Sequence, residues 1–116
     1  MAELENVGVV NNSSELQKAP INFGHAIRAM REGKRVAREG WNGKGLFVFM
    51  QIPSEITEEI IPKMQSLPQS VKDEFARRGG NISYSNQMAI VNPNNSINGW
   101  VPSSSDIYAE DWVILD

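Results

Sequence analysis

Residues 21–52 read INFGHAIRAMREGKRVAREGWNGKGLFVFMQI, and this stretch decides the fold. Asn22 is a favoured helix N-cap, and Phe23, Ala26, Ile27 and Met30 follow at i, i+3, i+4 and i+7, one face of a helix. Ile21 and Ala26 stand where a hydrophobic staple forms. Gly33 suits the left-handed position that ends a helix. The spacing predicts a helix over 23–32, with Arg28, Arg31 and Glu32 toward solvent. Arg35 to Arg38 then reads as a short strand, and Leu46 to Ile52 as a second, rich in β-branched and aromatic residues. Between them Gly40, Gly43 and Gly45 frame a turn that lets backbone approach a partner closely. Helix followed by hairpin is the nucleus of the fold.

Working outward, residues 53–80 read as a helical insertion. Ser66-Leu67-Pro68-Gln69 has a capping-box pattern, Val71 and Phe75 lie i, i+4, and Gly79-Gly80 closes the helix. Pro62 interrupts any helix over 55–64. Residues 81–85, 87–91 and 96–101 read as strands, with a turn at Asn92 to Asn95. Residues 103–110 hold one helical turn or two, and Trp112 to Leu115 is a last strand. Residues 1–20 are a polar extension with one apolar patch, Val7 to Val10, and Ala19-Pro20 marks its boundary. They read as a loose arm, or as a short strand added to a neighbour. The helix-strand crossovers of a parallel sheet are missing. The expectation is α+β: one N-terminal helix packed on an antiparallel sheet, in a single domain over 21–116.

Composition bounds the chemistry. The chain has 116 residues, 41% hydrophobic and 22% charged, which fits one small globular domain and excludes wholesale disorder. No cysteine is present, so disulfides, thiolate zinc sites and cysteine nucleophiles are excluded. The lone histidine, His25, excludes multi-histidine metal sites. No apolar run approaches the ~20 residues of a membrane span, and no basic region precedes an apolar stretch, so the expected home is the cytosol. Eleven basic against 14 acidic residues argue against duplex nucleic acid as a partner. A small anion in a local basic pocket stays open.

Two constellations carry the functional reading. The glycine-framed turn is neither a Walker A loop nor a dinucleotide fingerprint, because it leads into a strand. It offers Trp41 and Asn42 beside Lys34, Arg35, Arg38 and Lys44. Either Trp41 is a core aromatic inside a solvated basic rim, or the turn builds a pocket where Trp41 stacks on a base. The second constellation is Gly99-Trp100-Val101-Pro102-Ser103-Ser104-Ser105-Asp106, running on to Trp112. Ser103 with Asp106 forms the acidic variant of a capping box, with Trp100 and Trp112 as core. Alternatively Asp106 and the serines accept ribose hydroxyls. Asp106 and Glu110, i, i+4 without histidine, are a weak magnesium signal. His25 at N3 of the first helix reads as a capping or surface residue, and Glu58-Glu59 and Asp73-Glu74 as solvated faces.

These blocks carry a resemblance. Ile21-Asn22-Phe23-Gly24, then Gly33-Lys34-Arg35-Val36-Ala37-Arg38-Glu39-Gly40-Trp41-Asn42-Gly43-Lys44 with Phe47, then Trp100 to Asp106 and Ala109-Glu110-Asp111-Trp112, are similar to the second family of Thoeris anti-defence proteins. The likeness covers about residues 21–52 and 87–116. Ser104 replaces a longer polar residue and Tyr108 an aliphatic one. The resemblance implies a phage protein that is not an enzyme and uses no cofactor. It implies a sponge that holds the glycocyclic ADP-ribose of Thoeris TIR enzymes in the cytoplasm of the infected bacterium. It further implies a homotetramer with ligand sites between subunits. In some members it implies a second site for cyclic di- or trinucleotides of CBASS immunity. The residue chemistry fits such a ligand. Trp41, Phe47 and Trp100 offer aromatic surface, Ser103 and Asp106 offer acceptors for hydroxyls, and Asn42, Asn92, Arg35 or Arg38 offer donors for phosphate. Arg28, Arg31, Lys34, Arg35, Arg38 and Lys44 are the basic candidates for a second, more anionic ligand. Stacking supplies ~1–3 kcal/mol, whereas nanomolar binding needs about −12 kcal/mol, so charge-assisted hydrogen bonds in an enclosed site are also required.

Overall fold

The computed structural model describes residues 19–41 and 45–116. The arm at 1–18, and Asn42, Gly43 and Lys44 of the turn, lie outside the described residues. The chain divides into two units. One comprises the residues up to Met50 together with Gln87–Asp116, and the other is Gln51–Asn86.

The first unit begins as its sequence predicts. Helix α1 spans Phe23–Arg31, and the Asn22 side chain accepts from the His25 backbone N–H at 2.9 Å. That bond satisfies one of the amides a helix start leaves unpaired. Gly33 ends the helix at φ +89°, where a side chain would be strained. The strands are β1 (Val36–Arg38), β2 (Phe47–Met50), β5 (Met88–Val91), β6 (Ile97–Gly99) and β7 (Trp112–Ile114). They form one antiparallel sheet in the order β6-β5-β2-β1-β7. Helix α3 (Ser104–Tyr108) carries the chain from the β6 edge to the β7 edge. Ile21 forms a two-way backbone bridge with Trp112, which ties the start of α1 to edge strand β7.

Strand alternation assigns the two faces. Ile114, Val36, Val48 and Ile90 align across the sheet and face α1. Phe23, Ala26, Ala29 and Met30 of the helix bury against Val36, Val48 and Trp112, with Ile27 packed beside them. The predicted helix face is therefore the core face, and the fold is α+β with its helix on an antiparallel sheet.

The second unit holds α2 (Gln69–Arg78), a 3-10 turn at Ile61–Lys63, and a ribbon of β3 (Ser54–Ile56) with β4 (Ile82–Tyr84). Two sequence expectations are corrected here. The capping box of Ser66 with Gln69 does not form: Pro68 occupies the N-cap, no side chain caps the helix, and Gln69 is its first residue. Proline disfavours the helical region for the residue before it, so the helix cannot start earlier than Pro68. Strand β3 was not expected, because Ser54-Glu55-Ile56 lacks apolar alternation. It forms because its backbone pairs with β4, Ser54 opposite Tyr84 and Ile56 opposite Ile82.

Candidate functional site

Three indoles meet where the chain crosses from the β6 edge to the β7 edge. Trp112 is fully buried. Trp41 and Trp100 pack edge-to-face on it, with centroids 5.5 and 6.0 Å away, and lie 6.4 Å from each other. Phe23 closes the cluster at 5.3 Å from Trp112. Near-perpendicular packing suits the aromatic quadrupoles, and Trp41 and Trp100 stay partly exposed. Only Trp112 of the three donates its indole N–H to a described residue, the Asp106 carbonyl at 2.9 Å. Trp41 thus packs against the core, as the first of the two sequence readings has it, and stays partly exposed.

Beside the indoles runs a charged relay. Arg38, at the end of β1, donates from Nε to Asp111 Oδ1 at 2.8 Å and from Nη1 to Asp106 Oδ1 at 3.0 Å. Asp111 Oδ2 accepts the Gly40 amide at 3.1 Å, and the Asp111 carbonyl accepts the Glu39 amide at 2.9 Å. A Cβ on Gly40 would sit 3.2 Å from Asp111 Oδ2, so glycine permits this approach. On α3, Ser103 and Asp106 form the predicted capping box: Ser103 Oγ accepts the Asp106 amide, while Asp106 Oδ2 accepts from the Ser103 amide and hydroxyl, each at 2.9 Å. Burial pushes the Asp106 carboxyl up, but the Ser103 bonds and Arg38 outweigh it and hold the group below the usual range. Arg38 does the same to Asp111, and the two carboxylates raise the Arg38 guanidinium in return.

The other predicted residues fall elsewhere. Phe47 alternates with Val48 and so faces away from α1, on the sheet face opposite the indoles; Arg35 Cζ lies 5.2 Å above its ring. Arg35 is clamped by Asp116, with bonds of 2.7 to 2.9 Å from its backbone and guanidinium. Asn92 stands at the far end of the β5–β6 pair from Trp100, and its amide holds the turn through Ser96 and the Asn98 side chain. Arg28, Arg31 and Lys34 make no ion pair among the described residues. Within one chain the structure therefore unites Trp41, Trp100, Ser103, Asp106 and Arg38, and leaves Phe47, Asn92 and Arg35 apart from them.

Asp111 was missed by the sequence reading. Its signal was an acidic residue directly before a strand tryptophan, with a glycine turn elsewhere needing an acceptor. The described residues hold no helix long and apolar enough to cross a membrane, and no group of three or more His, Asp or Glu placed to hold a metal. The Gln51–Asn86 unit carries an open cleft of about 530 Å³ between Pro53–Glu55 and Ser83–Asn86, lined by none of the site residues above.

Residues 21–115 match the Thoeris anti-defense 2-like domain. The chain is also 31% identical over 98 residues to the Thoeris anti-defense 2 protein of Bacillus phage SP01, an alignment that covers 84% of this chain and 98% of that relative.

Proposed function

The chain belongs to the Thoeris anti-defense 2-like family, and from that premise we propose that it is a phage sponge, which binds the cyclic ADP-ribose signal of Thoeris immunity and holds it intact in the infected cell. The observation that supports this reading is the pairing of partly exposed indoles with carboxylates that are already bonded. Trp41 and Trp100 pack together and stay partly exposed, and the serines of α3 are exposed. Asp106 and Asp111 are tied to Arg38, Ser103 and Gly40 and are held ionised below the usual carboxylate range. Carboxylates so placed are acceptors for hydroxyl groups and poor proton donors.

A ligand with one purine, two riboses and two phosphates needs more enclosure than one chain of 12.9 kDa offers. Phe47 and Arg35, on the opposite sheet face, fit a site shared by two copies, and a homotetramer of about 52 kDa is the assembly proposed. Light scattering tests it, and a stable monomer at micromolar concentration refutes it. The function itself is tested by incubating the signal with protein, removing free ligand, and heat-denaturing the complex. Intact signal returns from a sponge, product from an enzyme, and no depletion occurs with a structural module. Trp41→Ala is expected to weaken binding about tenfold to a hundredfold through the lost stack. A second reading, capture of cyclic oligonucleotides, is favoured by Arg28, Arg31 and Lys34, three cations that make no ion pair among the described residues. Alanine substitution of all three is expected to abolish it and to spare the ADP-ribose signal.

A further inference from the structure

Arg38 joins both halves of the indole site through charged hydrogen bonds. Its Nε bond reaches Asp111, whose second oxygen grips the Gly40 amide next to Trp41. Its Nη1 bond reaches Asp106, whose second oxygen caps α3 and whose carbonyl receives the Trp112 indole. Both bonds leave from one planar, rigid group, so the separation of the two carboxylates is set by the fork itself. An ammonium on a flexible stem cannot reproduce that spacing. The Arg38 side chain is 22% exposed, and its guanidinium faces two carboxylates. The cluster of Arg38, Asp106 and Asp111 therefore carries a formal charge of −1, which disfavours a phosphate there.

We propose that Arg38 is a positioning residue, which fixes the Trp41 turn against the serine cap of α3 and acts through Asp111 and Asp106 without meeting the ligand's phosphate. This rests on the sponge reading for its consequence in binding, but the positioning itself is measurable without ligand. It also names which end of the site takes which chemistry. The α3 end receives hydroxyl groups, and phosphate is met by other residues.

The test labels the protein with 5-fluorotryptophan, assigns the resonances by single Trp→Phe variants, and compares Arg38→Ala, Arg38→Lys and, as a control ion-pair deletion in the other unit, Glu74→Ala. The expected result is that both Arg38 variants shift or broaden the Trp41 resonance, keep that of Trp112 sharp, and weaken binding of the ADP-ribose signal at least about tenfold. Glu74→Ala leaves all three resonances in place. A purely structural Arg38 would lower the melting temperature and leave Trp41 and the affinity alone, and this overturns the proposal. Full rescue by Arg38→Lys also overturns it, because charge without the fork would then suffice. If wild-type protein binds no signal, the sponge reading fails while the Trp41 resonance still decides the positioning. Should Arg38→Ala not fold, Asp111→Asn cuts only the turn branch, and an unmoved Trp41 resonance in that variant refutes the idea.

Discussion

In the unit that carries the indoles, Trp112, Met30, Val36 and Val48 are almost wholly inaccessible, while in Gln51–Asn86 only Ile61 and Ile82 are buried. Helix α1 buries four side chains and α2 buries none. The second unit relies on the backbone pairing of β3 with β4, and its side-chain bonds are local and exposed: Glu74 with Arg77 and Arg78, Gln69 with Asp73, and Lys72 on the Pro62 carbonyl. Exposed pairs of this kind are screened and contribute little, whereas each buried large side chain stabilises by ~1.5–3 kcal/mol. The contrast teaches where a site can be built. Groups that must stay within tenths of an ångström of each other sit on the unit with the packed core.

The largest expected difference is in the cores. Trp112→Ala should lower global stability by about 3–5 kcal/mol in urea unfolding, against about 2 kcal/mol for Ile61→Ala. Equal effects would erase the distinction between the units. Next come the ion pairs. Asp106→Ala removes a cap, worth ~1 kcal/mol, together with a partner of Arg38, and about 2 kcal/mol in all is expected. Glu74→Ala, which breaks two exposed pairs, should leave the melting temperature unchanged.

Acid sharpens the same contrast. Native Asp106 and Asp111 hold their protons less tightly than the unfolded chain does. The unfolded state therefore takes up more protons as pH falls, and the stabilisation, complete above about pH 4, is lost below it as the native groups protonate. The melting temperature should hold level from pH 7 to pH 5 and fall below pH 4. The fall should be shallower in an Asp106→Asn, Asp111→Asn double variant. The smallest effect compares two glycines. Gly33 and Gly80 have φ of +89° and +90° with open space around each. Alanine should cost about 1 kcal/mol of local strain at either position. Hydrogen exchange should report this across the whole core for Gly33→Ala and within Gln51–Asn86 alone for Gly80→Ala.

Much of the first unit was legible because its signals are local. Asn22, the i, i+3, i+4, i+7 stripe and Gly33 lie within a dozen residues and locate α1 without tertiary information. Ser103 and Asp106 likewise encode their capping box in four residues. The Arg38–Asp111 bond was not legible, because a strand arginine and a carboxylate 73 positions away carry no mutual pattern. The facing of Phe47 turned on register: a residue next to a buried valine in a strand points the other way. In the insertion, Pro68 overrode a good capping pattern, and β3 owes its existence to its partner.

Met50 and Met88 stand opposite each other on neighbouring strands, so the chain departs from the sheet and rejoins it at a single rung, about 5 Å apart. In topological terms everything in Gln51–Asn86 is an overgrown hairpin loop. Closure entropy rises by only ~0.6 kcal/mol for each doubling of such a loop, and a two-residue turn spans the same gap. A change in the length of this loop therefore does not by itself call for a new register between β2 and β5.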